Sequence, residues 1–247
     1  VTVRPAPHPV VLIHGTRTSH SQWDLQRPGL EAAGHRTTAP DLPGHGARHT
    51  EPFTLDAAAE VISQAVRVAA EDGPTHLVGS SLGGMLAIHT AARLTAEDPA
   101  LLCSVIACGA AVQPTPHTAR AYAALMEMVD RVPGARQGTW PLRLLLGAEG
   151  ARAYVRGGRA DVAVVAPAFA AVASMDLRAD LARIPVPVTF LHGRGDQLRL
   201  HERSFVAAAP RGALEVLPYG NHMVNLVRPG RFTTDLLRVL ARSEREG

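Results

Sequence analysis

His76-Leu77-Val78-Gly79-Ser80-Ser81-Leu82-Gly83-Gly84-Met85-Leu86 is the stretch on which the reading of the fold turns. It opens on a short apolar run, passes through a Gly-x-Ser-x-Gly pentapeptide, and continues with Leu82, Met85, Leu86 and Ala92 spaced as one helical face. A serine between two such segments sits on a sharp strand-to-helix turn, with its hydroxyl lifted above a sheet. The flanking glycines are needed because the turn is strained and because strand and helix pass too close for side chains. Only Ser81 has glycine at both −2 and +2, so the motif selects it over Ser80.

A nucleophilic serine needs a base, and the base needs an orienting acid. The apolar run 186–191 ends in His192-Gly193-Arg194-Gly195-Asp196, read as a buried strand and a glycine turn that delivers a carboxylate. A helix-like stretch from Leu198 and a strand at 213–217 follow, and then the loop Pro218-Tyr219-Gly220-Asn221-His222. Ser81, Asp196 and His222 therefore occur in the chain order Ser, Asp, His, the later two just past strand ends. Asp41 is a rival acid, but it precedes the serine and is read as structural. His14, His45, His76 and His192 are read as holding loops and strand ends. No histidine has a metal-like spacing to a cysteine or to a second helical histidine, so no metal site is expected.

With these residues in place, the chain resembles the α/β-hydrolase fold family over nearly its whole length. Val10-Val11-Leu12-Ile13-His14-Gly15-Thr16 resembles the family's strand and His-Gly oxyanion loop, and Asp41-Leu42-Pro43-Gly44-His45-Gly46 the loop after its next strand. Leu-Val-Gly-Ser-Ser-Leu-Gly-Gly-Met is similar to small esterases, thioesterases and hydroxynitrile-lyase relatives, with Ser80 standing where histidine is common. The resemblance implies an acyl-enzyme on Ser81, His222 as base, Asp196 as its orienter, and an oxyanion hole from the backbone N–H groups of Thr16 and Leu82. It also speaks against dehalogenase and epoxide hydrolase relatives, which place an aspartate at this turn.

The wider pattern fits an α/β fold with a mainly parallel sheet. Strand-like runs fall at 10–13, 36–39, 75–78, 101–107, 186–191 and 213–217, most of them continuously apolar, as strands buried on both faces should be. Helical stripes lie between them: Leu55, Ala59, Ile62, Val66 and Ala69, then Phe232, Leu236, Val239 and Leu240. The family's opening hairpin is read as shortened or missing, with only residues 1–4 available for it. About 70 residues, 112–180, separate two strands, too many for a structureless loop. They carry helical patterns (Ala121, Leu125, Met128, Val129; 142–146; 162–174), broken at Pro114, Pro116, Pro133 and Gly134. By resemblance they form a helical cap, giving core segments 1–111 and 181–247 around an insert at 112–180. Leu125, Met128 and Trp140 are expected to wall the pocket, and Trp23 either touches substrate or plugs the floor.

Composition bounds the rest. The 247 residues are 46% hydrophobic and 19% charged, an ordinary globular balance, with aromatics at only 4%, so aliphatic side chains must fill the core. All 25 basic residues are arginine, scattered without a tract, and the net charge is +3; nucleic acid is not an expected partner. No apolar run is long enough to span a membrane, and no signal peptide is read from Val1 onward. Cys103 and Cys108 lie five positions apart in one strand, on opposite faces, and are expected to stay free, as suits a cytoplasmic protein. The expected activity is hydrolysis of a carboxylic ester, lactone or thioester of a small apolar substrate, without a cofactor. C–C bond hydrolysis of a diketone-like metabolite, a lyase or cyclase on the same fold, and a binding protein with a vestigial triad are the other readings.

Overall fold

The computed structural model describes residues 6–131 and 139–246. Six strands, β1 (Val10–Ile13), β2 (Thr37–Thr38), β3 (Thr75–Ser80), β4 (Leu102–Cys108), β5 (Val188–Gly195) and β6 (Gly212–Asn221), form one sheet in the order β2-β1-β3-β4-β5-β6. Every neighbouring pair is parallel. Among the described residues ten α-helices accompany them: α1 (Arg27–Ala32), α2 (Leu55–Ala70), α3 (Leu82–Glu97), α4 (Pro116–Asp130), α5 (Thr139–Arg156), α6 (Val165–Ser174), α7 (Leu177–Ala182), α8 (Glu202–Ala208), α9 (Val224–Val227) and α10 (Pro229–Glu246).

Strand alternation sorts the core into two layers. Val11, Ile13, Leu77, Val105, Val188 and Phe190 pack on one side with the apolar faces of α2, α3, α7 and α8. Val10, Leu12, Val78, Ile106, Cys108 and Leu191 pack on the other with Leu30 of α1 and the α10 stripe Phe232, Leu236, Val239 and Leu240. Both faces are thus covered, which is why the strands read as unbroken apolar runs. Each large side chain buried this way contributes about 1.5–3 kcal/mol. Helix α2 starts where Thr54 accepts a hydrogen bond from Ala57 N at 3.1 Å, an N-cap that satisfies one orphan donor. Cys103 and Cys108 are free thiols, the second fully enclosed and pushed up by burial and then by the Asp196 charge.

The strands keep their expected places but shift at their ends, most at β2, β5 and β6. The run at 36–39 contributes only Thr37 and Thr38, paired to Val10 and Val11, because Pro40 brings no N–H to the ladder. The β5–β6 ladder runs further than 191 and 217: it continues through Gly193↔Leu217, shifts register, and closes on Gly195↔Asn221. The glycine stretch read as a turn is still strand. Residues 1–4, Pro133 and Gly134 lie outside the described residues.

The order of strands reverses at β1, which has β2 on one side and β3 on the other. The carboxyl ends of β1 and β3, on either side of this reversal, are the usual ligand position in a parallel α/β sheet. Between β4 and β5 lie α4 to α7, of which α7 runs past residue 180 and packs in the core layer with Leu177 and Leu181. Ala119, Tyr122, Ala123 and Met126 form the inward stripe of α4 and pack against the core. Among the described residues no helix is long and apolar enough to cross a membrane.

Candidate active site

Ser81 caps α3 with φ 55° and ψ −119°, a conformation that costs an L-residue about 1–3 kcal/mol. Hydrogen bonds fix it: Ser81 N donates to Cys108 O at 2.8 Å, and its carbonyl accepts from Gly84 N at 2.9 Å and Met85 N at 3.1 Å. The flanking glycines are required by space. A Cβ on Gly79 would stand 2.2 Å from Gly83 O, and one on Gly83 would stand 2.4 Å from His14 O. Leu82 and Gly83 open α3, so their N–H groups have no carbonyl partner inside the helix and form its positive end. The β1 loop lies directly against this turn, since a Cβ on Gly15 would sit 3.3 Å from Ser80 O and 3.4 Å from Ser81 Cβ.

Asp196 and His222 meet where β5 and β6 end. His222 Nδ1 lies 3.1 Å from Asp196 Oδ1, and Leu198 N donates to the same oxygen at 2.8 Å. Since a carboxylate only accepts, Nδ1 carries the proton and Nε2 is left with its lone pair. The Asp196 side chain is 1% exposed and that of His222 16%. Burial alone would push the Asp196 carboxyl up; the His192 ring, 3.6 Å from Oδ2, and the His222 ring outweigh it and hold the group well below the usual carboxylate range. Gly109 (φ +59°) joins the two halves of the site. A Cβ there would come within 2.8 Å of His222 Cε1 and Nδ1 and 2.9 Å of Asp196 Oδ2, one residue from the Cys108 carbonyl that holds Ser81.

The rival acid is occupied elsewhere. Asp41 accepts from His20 N at 2.7 Å, His20 Nδ1 at 3.0 Å and Ala47 N at 2.9 Å, tying its own loop to the segment after β1. His14 is fully buried and pushed down to about 3 by burial and then by His45. Its neutral ring donates Nδ1–H to Gly15 O at 2.8 Å and accepts Leu42 N–H on Nε2 at 3.0 Å, tying the β1 loop to the loop after β2.

Gln22 is a residue the motifs did not reveal. Fully buried, it accepts Gly15 N–H on Oε1 at 2.7 Å and donates from Nε2 to Ser80 Oγ at 2.9 Å. One side chain therefore clamps the loop bearing Thr16 to the turn bearing Ser81. Gln22→Leu leaves Gly15 N–H and Ser80 Oγ buried without partners, each worth about 1–3 kcal/mol. The expected result is a lower Tm together with a fall in kcat larger than any change in KM, measured by calorimetry and steady-state kinetics.

The insert is fastened to the same loop. Tyr154 Oη donates to Thr16 O at 3.3 Å, Thr18 Oγ1 to Tyr154 O at 2.8 Å, Ser21 Oγ to Ala153 O at 2.6 Å, and Arg17 Nε to Ala160 O at 3.3 Å. Arg17 and Ser81 are the two non-glycine residues with positive φ among the described residues, and both border Thr16 or the elbow.

The expected substrate contacts lie in or outside the packed core rather than around a common pocket. Trp23 is entirely enclosed, 6.5 Å from the Phe232 ring and among Leu12 and Val78, so of its two readings it plugs the floor. Leu125, Met128 and Trp140 are 46%, 60% and 65% exposed. The α4 stripe was phased wrongly: its inward positions are 119, 122, 123 and 126, and at about 100° per residue Met128 falls on the opposite side. The aromatic surface turned inward is the stack of Tyr122 on Phe169, with centroids 4.3 Å apart.

Residues 10–235 match the model of the alpha/beta hydrolase family, and the chain belongs to that family. A Variovorax paradoxus protein named, provisionally, as carbamate hydrolase RutD is 27% identical over 258 residues, covering 96% of this chain and 93% of that protein. A pimeloyl-[acyl-carrier protein] methyl ester esterase of Neisseria meningitidis is 39% identical over 85 residues, covering 34% of this chain and 31% of the esterase. The matched stretch spans between a quarter and about a third of the length of several curated relatives. A carboxylesterase structure from Nitrososphaera gargenis superposes with a TM-score of 0.80 over 99% of this chain and 93% of that one, at 18% identity, a likeness of fold.

Proposed function

We propose that the chain is a serine hydrolase that cleaves a carboxylic ester, lactone or thioester of a small apolar substrate through an acyl-enzyme on Ser81. The observation that carries this reading is the 3.1 Å His222–Asp196 contact beside Gly109, next to a serine held at φ 55°. Asp196 fixes the His222 tautomer, so that Nε2 takes the Ser81 proton as Oγ attacks the substrate carbonyl carbon. The oxyanion formed is met by the backbone N–H groups of Leu82 and Thr16, at the positive end of α3. His222 then returns the proton to the leaving alkoxide or thiolate. A water molecule, deprotonated by the same imidazole, repeats the attack, and Ser81 leaves with the free acid. Only water is consumed, and no cofactor enters.

The insert 112–180 acts as a cap whose inward apolar side, Tyr122, Ala123, Met126 and Phe169, shapes the acyl pocket. The whole-length likeness to a provisionally named carbamate hydrolase favours a second substrate class, since a carbamate presents the same electrophilic carbonyl to the same serine.

Intact-mass measurement after exposure to a fluorophosphonate probe, with p-nitrophenyl esters from acetate to dodecanoate assayed alongside, tests the reading. One adduct mapping to Ser81, with a burst of p-nitrophenol, is expected, and the preferred acyl length sizes the pocket. A well-folded sample with neither adduct nor burst would refute the acyl-enzyme.

A further inference from the structure

The opposite end of the sheet carries a second cluster of chemistry-bearing side chains. His35 precedes β2, His76 is the second residue of β3, and Glu244 lies in the last turn of α10. One ligand atom from each, a ring nitrogen of either histidine and a carboxylate oxygen, lies within 4.8 Å of the others. His35 and His76 are buried, and the Glu244 side chain is 23% exposed. We propose that these three residues bind a Zn²⁺ ion that staples the strand starts to the C-terminal helix.

The second contacts of each ligand support the assignment. His35 Nδ1 donates to His8 O at 2.8 Å, which leaves Nε2 with its lone pair. His76 Nδ1 pairs with Ser104 Oγ at 2.7 Å, and its Nε2 lies 3.4 Å from Glu244 Oε1. A hydroxyl can either donate or accept, so Ser104 can take the Nδ1 proton and free Nε2 for a metal. A ring nitrogen steadied by an oxygen on its far side is the usual companion of a ligating histidine. Glu244 Oε1 is itself steadied by the His8 backbone N–H at 3.0 Å.

The spacing suits the ion. Bonds of about 2.0–2.2 Å in a tetrahedron put ligand atoms about 3.4 Å apart, which is the His76–Glu244 separation; the third ligand has to close in by roughly an ångström. Two imidazoles and one carboxylate are a nitrogen–oxygen set that takes Zn²⁺ in preference to Mg²⁺ or Ca²⁺. Water completes the four, beside the His8 ring, whose centroid is 6.0 Å from that of His76. His76 precedes Ser81 by five residues along a strand, about 16 Å, so the ion holds structure and takes no part at Ser81.

The test uses untagged full-length protein, treated with chelator and then titrated with Zn²⁺ by calorimetry. One-to-one binding is expected, with Tm raised by roughly 5–10 °C at a hundredfold excess over Kd. His35→Gln and Glu244→Gln should each weaken the affinity at least ~100-fold while leaving ester hydrolysis at the parent level. His117→Gln, on the exposed face of α4, should change neither. Co²⁺ in place of Zn²⁺ should give the intense visible bands of a four-coordinate site in the parent protein, a readout independent of any variant's folding. Absence of one-to-one binding, weak six-coordinate Co²⁺ bands, or binding that survives both His35→Gln and Glu244→Gln would overturn the assignment and leave the cluster a hydrogen-bonded network.

Discussion

Ser81→Ala is expected to lower ester hydrolysis by about 10⁴–10⁶-fold and leave the fold unchanged. The size follows from the proposed acyl-enzyme mechanism. Without Oγ no acyl-enzyme forms, and what survives is the pre-organised oxyanion site acting on attack by water. Ser81→Gly should be equally inactive, yet more stable. The parent residue is held at φ 55° and ψ −119° by the Ser81 N–Cys108 O bond and by the first turn of α3, a geometry that glycine adopts without strain. Relief of about 1–3 kcal/mol, less the 0.5–1 kcal/mol that glycine loses in backbone entropy, leaves a net gain near 1 kcal/mol. In a chain of this size that is a rise in Tm of about 2–4 °C. Steady-state kinetics and calorimetry on the parent and the two variants separate the effects. Residual turnover within tenfold of the parent would dismiss Ser81 as nucleophile, and a Gly variant less stable than the Ala variant would dismiss stored strain at the elbow.

What the sequence revealed of this protein, and what it hid, divides along physical lines. Ser81, Asp196 and His222 sit where an apolar run stops, so each is marked by a local break in pattern, and their chain order carries the topology. The covering of both sheet faces was legible because continuously apolar strands have to be buried on both sides and because the α10 stripe is a local periodicity. Gln22 was not legible. Its two bonds go to Gly15 N and to Ser80 Oγ, the latter 58 residues along the chain, and a lone glutamine in a single 3-10 turn has no periodic signature. The α4 stripe was seen but phased wrongly, because Leu125 and Met128 are more hydrophobic than Ala119 and Ala123, the residues that fit against the core. Small residues are chosen there for close approach, which hydrophobicity does not measure. The cluster of His35, His76 and Glu244 escaped for a third reason. Spacing rules for metal ligands recognise neighbours on one helix or hairpin, whereas these three come from a loop, a strand and the C-terminal helix.

The arrangement around Thr16 links the insert to the chemistry. Tyr154, Ala153 and Ala160 of the insert are hydrogen-bonded to Thr16, Ser21 and Arg17, and Gln22 bonds the same loop to the elbow. A displacement of the insert would therefore be felt along the segment 15–22, which Gln22 bonds to Ser80 beside Ser81.

Asp196→Asn is expected to cost about 10⁴-fold in kcat with the fold retained. The amide is nearly isosteric, and its oxygen can still accept Leu198 N–H. Its NH₂ group, however, can donate to His222 Nδ1, which shifts the ring proton to Nε2. An Nε2–H cannot take the Ser81 proton, so the base is present but in the wrong tautomer. Serine labelling by the fluorophosphonate should slow in the same proportion, because it uses the same proton transfer. Stability offers an independent reading. The Asp196 carboxyl is held below the usual range in the folded protein, so its charged form stabilises the fold above the ordinary carboxylate pKa of about 3.9, and that contribution is lost as pH falls through the lower folded value. The parent should therefore exceed the Asn variant in stability at neutral pH, and the gap should narrow steadily below about pH 4. Urea unfolding at several pH values measures the gap. A gap constant with pH would mean that the His222–Asp196 pair carries no charge-dependent stabilisation, and an Asn variant with more than a tenth of parental kcat would refute the orienting role proposed for Asp196.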